Sequence, residues 1–241
     1  MADALPCVQA DVLAQTPHGF FGRFKDGHRA DDGMPQYRRA VVEKLMPGAT
    51  LVMLRQTHSA ICVCVAEPWR HEDRPEGDAL VTRGRGVVLG LVTADCAPVL
   101  LTDQQAGVIG AAHAGWRGAL GGVLENTVEK MEELGAARGR IAAAIGPAIA
   151  QASYEVDDAF RSGFPADAAR FFATGRTGHF QFDLASYVAN RLRCAGVGRV
   201  ANLALDTYAQ PRLFHSYRRA RQLGEASDGR QISAIALPAR A

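Results

Sequence analysis

Apolar positions in this chain follow two rhythms. From Ala49 to Ala114 they form runs, bounded by polar or turn residues. ATLVMLRQT and AICVCVA are rich in β-branched and apolar residues and predict strands. DALVT predicts a short strand. VVLGLVTADCAPVLLTD is almost continuously apolar and predicts a strand buried on both faces. AGVIGAAHA predicts another. From Trp116 the rhythm changes. Leu120, Val123, Leu124, Val128 and Met131 recur at helical spacing and predict one long helix that stops at Gly135. IAAAIG reads as a strand ended by Gly146-Pro147, followed by helices over Val156 to Ser162 and Asp183 to Cys194. ANLAL and GRQISAIAL close the pattern as strands. Ahead of all these, residues 17 to 35 read as a polar loop leading into a short helix, Tyr37 to Leu45. Strands come in consecutive runs before the long helix, so regular βαβ alternation is weak. The expected fold class is α+β: a single domain over residues 1–241, with mixed β-sheets flanked by helices.

Composition narrows the function classes. The chain has 241 residues, of which 48% are hydrophobic, enough for a full core. Its 27 basic and 25 acidic residues leave a formal charge of only +2, which gives no electrostatic case for nucleic acid or anionic lipid as a partner. The opening MADALPCVQADVLAQ lacks the apolar centre of a signal peptide, and no stretch is long and apolar enough to span a membrane. Cys62 and Cys64 lie two apart on one predicted strand, where they share a face and are poorly placed to bridge. A cytoplasmic location is expected. The sequence leaves the oligomeric state open.

The candidate chemistry lies in Gly90 to Gly118, GLVTADCAPVLLTDQQAGVIGAAHAGWRG. One apolar run delivers Cys96 and the next delivers His113. Upstream, LVMLRQTH delivers His58. Each is expected inside or at the C-terminal end of a strand. Such a set can hold a metal with one position open, as in catalytic zinc sites. It can equally form a Cys–His nucleophile pair. A cysteine in an apolar run is usually a small hydrophobe. Here, however, Asp95 puts a charge in the run and Pro98 is expected to interrupt strand pairing. After His113, HAGWRG surrounds the backbone with small residues. The helix starting near Trp116, with Arg117 at its head, offers an anion site. Trp116 itself reads as core. His18, His28, His71, His179 and His215 read as ordinary surface or loop residues, and Tyr217-Arg218-Arg219 as a solvated face. Asp78, Asp183 and Asp206 read as helix caps or turn residues.

Taken in order, RQTHSA, ALVT, TADCAPVLL, GAAHAGWRG, IGPAIAQASYEV, FDLASYV, LDTY and FHSYRRA…GRQISAIAL resemble the YfiH or laccase-domain family, from about Pro17 to Leu237. That family has carried the labels polyphenol oxidase, purine nucleoside phosphorylase and peptidoglycan editing factor. The resemblance implies a fold similar to the catalytic domain of cytotoxic necrotizing factor. It implies a zinc site built from His58, Cys96 and His113, which would also be the catalytic residues. It further implies phosphorolysis of adenosine, inosine, guanosine and methylthioadenosine, and deamination of adenosine. The substrates would be purine nucleosides and phosphate, the latter held by Arg55 and Arg117. Two alternatives stand beside this: a cysteine or zinc amidase acting on peptidoglycan precursors, and a copper-dependent polyphenol oxidase. Copper ranks below zinc, because a multicopper site needs several His-x-His pairs and the seven histidines here form none. One departure is plain. The family's Gly-Gly-Val-Ser…Ser-Leu-Asn loop is missing after HGFFGR, and only Arg38-Arg39 stands near its usual Asn-Arg pair.

Overall fold

The computed structural model describes residues 5–23, 35–225 and 229–238. The elements run β1 (Cys7–Val8), β2 (His18–Phe21), α1 (Pro35–Leu45), β3 (Thr50–Val52), β4 (Cys62–Cys64), β5 (Ala79–Thr82), β6 (Val87–Thr93), β7 (Ala97–Asp103) and β8 (Val108–Ala114). Then come α2 (Trp116–Gly121), α3 (Val123–Glu133), β9 (Ala142–Ile145), β10 (Glu155–Asp157), α4 (Asp158–Ser162), β11 (Phe172–Thr174) and β12 (His179–Phe182). The chain closes with α5 (Leu184–Cys194), β13 (Arg199–Asn202), α6 (Tyr217–Gln222) and β14 (Gln231–Ala236).

Two large sheets stack face to face. One has five strands in the order β1-β2-β14-β6-β3, and the other six in the order β13-β9-β7-β8-β5-β4. A small sheet, β10-β12-β11, lies apart from them. Pairing is mixed: β3 with β6, β4 with β5 and β9 with β13 are parallel, and the other pairs are antiparallel. This is the α+β fold with mixed sheets that the pattern predicts.

Side-chain alternation explains the layers. In the six-stranded sheet, Leu80, Leu100, Ile109 and Ala144 face the other sheet, whereas Val81, Val99, Leu101 and Ala112 face α3 and α5. In β6, Leu89 and Leu91 face inward, and Val88 and Val92 face the α1 layer. Both faces of both sheets are therefore covered. Each fully buried Leu or Val adds about 1.5–3 kcal/mol, so strands apolar at every position are the stable solution.

Several expectations need correction. The run from Val87 to Asp103 is two strands, not one, because Asp95 turns the chain at φ +88° and sends β6 and β7 into different sheets. The helix predicted from Trp116 to Gly135 is broken at Gly122, whose φ of +99° no helix accommodates. Residues 18–21, expected as loop, form a buried strand that pairs with β1 and β14. Residues 24–34 of that predicted loop lie outside the described residues. The helix expected from Val156 begins only at Asp158, because Val156 pairs with Phe180 and Asp157 caps the helix. ATLVMLRQT is extended only at Thr50–Val52, with a further bridge between Arg55 and Glu76. The strand expected at ANLAL is displaced to Arg199–Asn202 and ends before Ala204, which takes φ +52°. Pro98 sits within β7 opposite His113 and does not interrupt that pairing, while the pairing to β9 starts at Val99. The strands β1, β11 and β12, of two to four residues each, are too short for their pattern to stand out, and the sequence reading missed them.

All five cysteines are free thiols. Among the described residues, no helix is long and apolar enough to cross a membrane. Gly122→Ala should lower unfolding stability by about 1–2 kcal/mol, the cost of a left-handed non-glycine residue. Urea denaturation measures it, and an unchanged midpoint would show that the helix break does not depend on glycine.

Candidate metal centre

Three segments deliver the site to one place. His58 lies in the turn after the Arg55 bridge, in a left-handed conformation at φ +60°. Cys96 ends the crossover between the two large sheets and precedes β7. His113 lies one residue from the end of β8. Only His113 is therefore inside a strand. His58 and Cys96 sit in turns, where the chain can bend toward a common point. The ligand-capable atoms of the three lie within 4.8 Å of one another, and they form the one such His/Cys/Asp/Glu group found among the described residues. Cys96 Sγ is 3.9 Å from His58 Nε2. The two imidazoles meet edge to face with centroids 4.9 Å apart. Gly115 leaves the room: a Cβ there would lie 2.9 Å from Cys96 Sγ and 3.1 Å from the His58 ring.

Asp78 organises this geometry. The sequence suggested a cap or turn residue, but Asp78 is fully buried at the head of β5. Its Oδ1 accepts from His113 Nδ1 at 2.8 Å and from the His58 backbone N–H at 3.0 Å. Its Oδ2 accepts from the Thr57 and Ser59 backbone N–H groups and from the Ser59 hydroxyl at 3.2, 2.6 and 2.7 Å. One carboxylate thus fixes the His113 tautomer, leaving Nε2 to face Cys96, and holds the strained turn that carries His58. Burial would push the Asp78 carboxyl up. The hydrogen bonds from His113 and Ser59 outweigh it and hold the group well below the usual carboxylate range.

The charges on the other two groups follow. Burial opposes an ionised Cys96, yet the imidazoles of His113 and His58 bring its thiol down to about 6. Burial likewise opposes a charged His113, and the Cys96 thiolate and Asp78 together raise it to about 9. A thiolate flanked by two imidazoles is a metal-ligand donor set. The same chain of contacts, Cys96 to His113 to Asp78, also has the order of a nucleophile, a base and an orienting acid.

The Cys96 turn is tethered as firmly. Asp95 Oδ1 accepts from the Thr207 hydroxyl at 2.7 Å, and Oδ2 accepts from the Arg218 backbone N–H at 2.7 Å. Its carbonyl accepts from Ile149 N–H. The charge that broke the apolar run is therefore a clamp on the crossover.

Arg117 and Arg55 both reach the cavity beside the three groups. Arg117 is exposed, with its guanidinium carbon 4.6 Å over the Trp116 ring. Trp116 packs on Phe160 as expected of a core residue, and it also positions Arg117. Arg55 makes an ion pair with Glu76 at 2.9 Å. The helix expected to add its dipole here is only six residues long, so the guanidiniums carry the case for an anion.

Other expectations fail. His18 is buried, with Ala10 N–H donating to its Nε2 and its Nδ1 bonded to the Thr16 carbonyl. His215 is buried as well. His71 and His179 are half-buried, and His28 lies outside the described residues. Arg218 and Arg219 are not a solvated face. Arg218 bonds the Glu155 carbonyl and lies over Tyr154, and Arg219 bonds the carbonyls of Thr207, Tyr208 and Phe214. Asp183 does cap α5, and Asp206 holds a turn through Ala150, Ser153 and Tyr208.

A family model described as "Multi-copper polyphenol oxidoreductase laccase" matches residues 27–238. The chain belongs to that laccase-domain family. A purine nucleoside phosphorylase of Deinococcus radiodurans is 37% identical over 256 aligned positions, covering 99% of this chain and 96% of that protein. Adenosine deaminase RL5, from an unknown prokaryotic organism, is 38% identical over 199 positions, covering 77% of this chain and 74% of that protein. The crystal structure of Bacillus licheniformis YfiH superposes with a TM-score of 0.85 at 27% identity, covering 98% of each chain. In this laccase-domain chain, Arg38 and Arg39, near the place of the missing loop signature, line a separate groove with Glu43 and His71.

In protein stripped of metal, iodoacetamide should alkylate Cys96 through a thiolate with a midpoint near pH 6. The reaction runs above that pH and fades below it, because the folded thiol lies under its ordinary value. Burial pushes Cys62 up to about 12, so it should stay inert over the same range. Mass-spectrometric mapping of the adducts checks both, and a Cys96 midpoint near 9 would contradict the charge assignment.

Proposed function

We propose that this protein is a zinc-dependent purine nucleoside phosphorylase that also deaminates adenosine, with residues 1–241 as one catalytic domain. Adenosine, inosine, guanosine and methylthioadenosine are the proposed substrates, with phosphate as co-substrate. The observation that carries the reading is the convergence of His58, Cys96 and His113 in a cavity lined by arginines. The names of the relatives support the reaction class.

The donor set fits zinc. It offers two imidazoles and one thiol drawn toward thiolate, with His113 aimed by a carboxylate and the group open to a cavity. A multicopper oxidase would need further histidine clusters, and none accompanies this one among the described residues. When bound, zinc supplies Lewis acidity, which activates water at near-neutral pH for deamination. The residues of the chain do the rest. Asp78 keeps the His113 proton on Nδ1. Arg117, stacked on Trp116, and Arg55, steadied by Glu76, neutralise the phosphate that displaces the purine.

A second reading has its own observation. Cys96, His113 and Asp78 are arranged as a nucleophile with its base and orienting acid, which suits an amidase acting on peptidoglycan precursors. The zinc reading is favoured because His58 brings a second imidazole onto the same sulfur, which a nucleophile does not need.

A nucleoside panel run with and without phosphate, with products separated by chromatography, tests the proposal. Phosphate-dependent release of free base is expected, together with phosphate-independent conversion of adenosine to inosine. Cys96→Ala should lose most of its zinc and both activities while staying folded. Full zinc retention would remove Cys96 from the ligand set. Turnover by metal-free protein, with a covalent adduct on Cys96, would favour the amidase. Arg117→Ala should raise KM for phosphate about ten-fold, on the order of one charge-assisted contact, and affect deamination less. Equal loss of both activities would make Arg117 a shared or structural residue.

A further inference from the structure

Two cavities meet at His58 and Cys96. The larger, about 550 Å³, contains Arg55, Arg74, Arg117 and Arg230. The smaller, about 220 Å³, has an aromatic and apolar wall of Trp116, Tyr154, Ile149 and Leu184. His58, Cys96, Arg117 and Tyr217 line both. The candidate metal centre therefore sits between a chamber lined by four arginines and a smaller one whose wall is mainly aromatic and apolar, with Asp95, Arg117 and Arg218 also in its lining.

Tyr217 stands at this junction. It is 58% exposed, one of four large hydrophobic side chains left so open among the described residues. Its side chain makes no ring contact or hydrogen bond among the described residues, yet its backbone is held from three sides. Ser216 Oγ caps α6 by accepting from Arg219 N–H. The next residue, Arg218, donates its backbone N–H to Asp95, the clamp on the Cys96 turn. Arg219 anchors the helix through three carbonyls. An aromatic ring on a fixed backbone at a cavity mouth, with no ring or hydrogen-bond partner among the described residues, is a surface free to stack on a ligand, and binding has to order only its side-chain torsions.

The cationic chamber has a matching oddity. Thr93, at the end of β6, is 2% exposed and lines this chamber. Its Oγ is buried without a hydrogen-bond partner. Buried hydroxyls are normally satisfied; this one is closed off on the wall of a chamber lined by four arginines, and a change of Thr93 rotamer would present it to an acceptor held there.

Building on the nucleoside reading, we infer that the two cavities sort the two substrates. The heteroaromatic base stacks on Tyr217 in the aromatic chamber. The oxyanion occupies the cationic chamber and accepts a hydrogen bond from Thr93 Oγ as well as from the arginines. Tyr217 is then a specificity residue for the base and Thr93 one for the anion, and the sugar carbon between them falls beside the candidate centre.

The test varies adenosine and phosphate separately with wild type, Tyr217→Phe, Tyr217→Ala and Thr93→Val. Tyr217→Ala should raise KM for adenosine about ten-fold, the order expected for loss of one base–aromatic stack, with KM for phosphate within two-fold. Tyr217→Phe should behave as wild type. Thr93→Val should raise KM for phosphate several-fold, leave KM for adenosine alone and not lower the melting temperature, because a methyl replaces an unsatisfied hydroxyl. The inference is overturned if Tyr217→Ala shifts both constants equally or neither, or if Thr93→Val leaves phosphate unaffected. Direct titrations separate this from failure of the enzymatic reading. Adenosine is followed by tryptophan fluorescence and inorganic phosphate by thermal shift, with the same pattern across the four proteins expected. Wild type that binds both without turnover contradicts the phosphorylase reading and leaves the sorting to these titrations. Wild type that binds neither overturns both.

Discussion

The carboxylate of Asp78 is the interaction on which the candidate site depends. Buried charge is costly unless every lone pair is met. Here six N–H or O–H donors surround the two oxygens, and two of these donors belong to candidate ligands. Removing the carboxylate would free the His113 tautomer and leave three consecutive backbone N–H groups of the His58 turn without their acceptor. The left-handed backbone at His58 costs about 1–2 kcal/mol. Charge-assisted hydrogen bonds, roughly twice the strength of neutral ones, offset that.

The fold explains why this carboxylate lies where three segments meet. β5, headed by Asp78, pairs with β8, which carries His113. That antiparallel register sets the carbonyl of Asp78 against the N–H of His113 at 2.7 Å. Cys96 arrives from the other side, on the crossover that takes the chain from one sheet to the other. A crossover between stacked sheets must turn sharply, and Asp95 makes that turn in a left-handed conformation clamped to Thr207 and Arg218. Two strained residues, His58 and Asp95, therefore adjoin or belong to the site, and each is fixed by a buried acid. Strain held by surrounding structure is common where groups are preorganised.

What could be read in the sequence follows the same physics. The apolar runs reveal β5 to β9 and β14 because every position in them is buried, so no register has to be known. His58, Cys96 and His113 stand out because they interrupt or end those runs. Asp78 stood in view as well, an acid heading a buried strand, but its role depends on a partner 35 residues away across the sheet. Asp95 could be flagged as a broken rule, although its acceptor role depends on Thr207 and Arg218, more than 100 residues on. Tyr217 looked like surface because its neighbours are arginines. Only the tertiary contacts show those arginines turned to backbone carbonyls. The break at Gly122 was missed because a single left-handed residue leaves the helical spacing of apolar positions almost unchanged.

Replacing Asp78 with asparagine tests the central claim most directly, with zinc affinity measured by competition against a chromophoric chelator and folding checked by circular dichroism. An amide keeps the shape but turns an NH₂ toward donors that need an acceptor. If Asp78 orients His58 and His113 toward one ion, zinc affinity should fall about 10–100-fold in a protein that keeps its secondary structure. A folded Asp78→Asn protein that binds zinc as tightly as wild type would contradict the account.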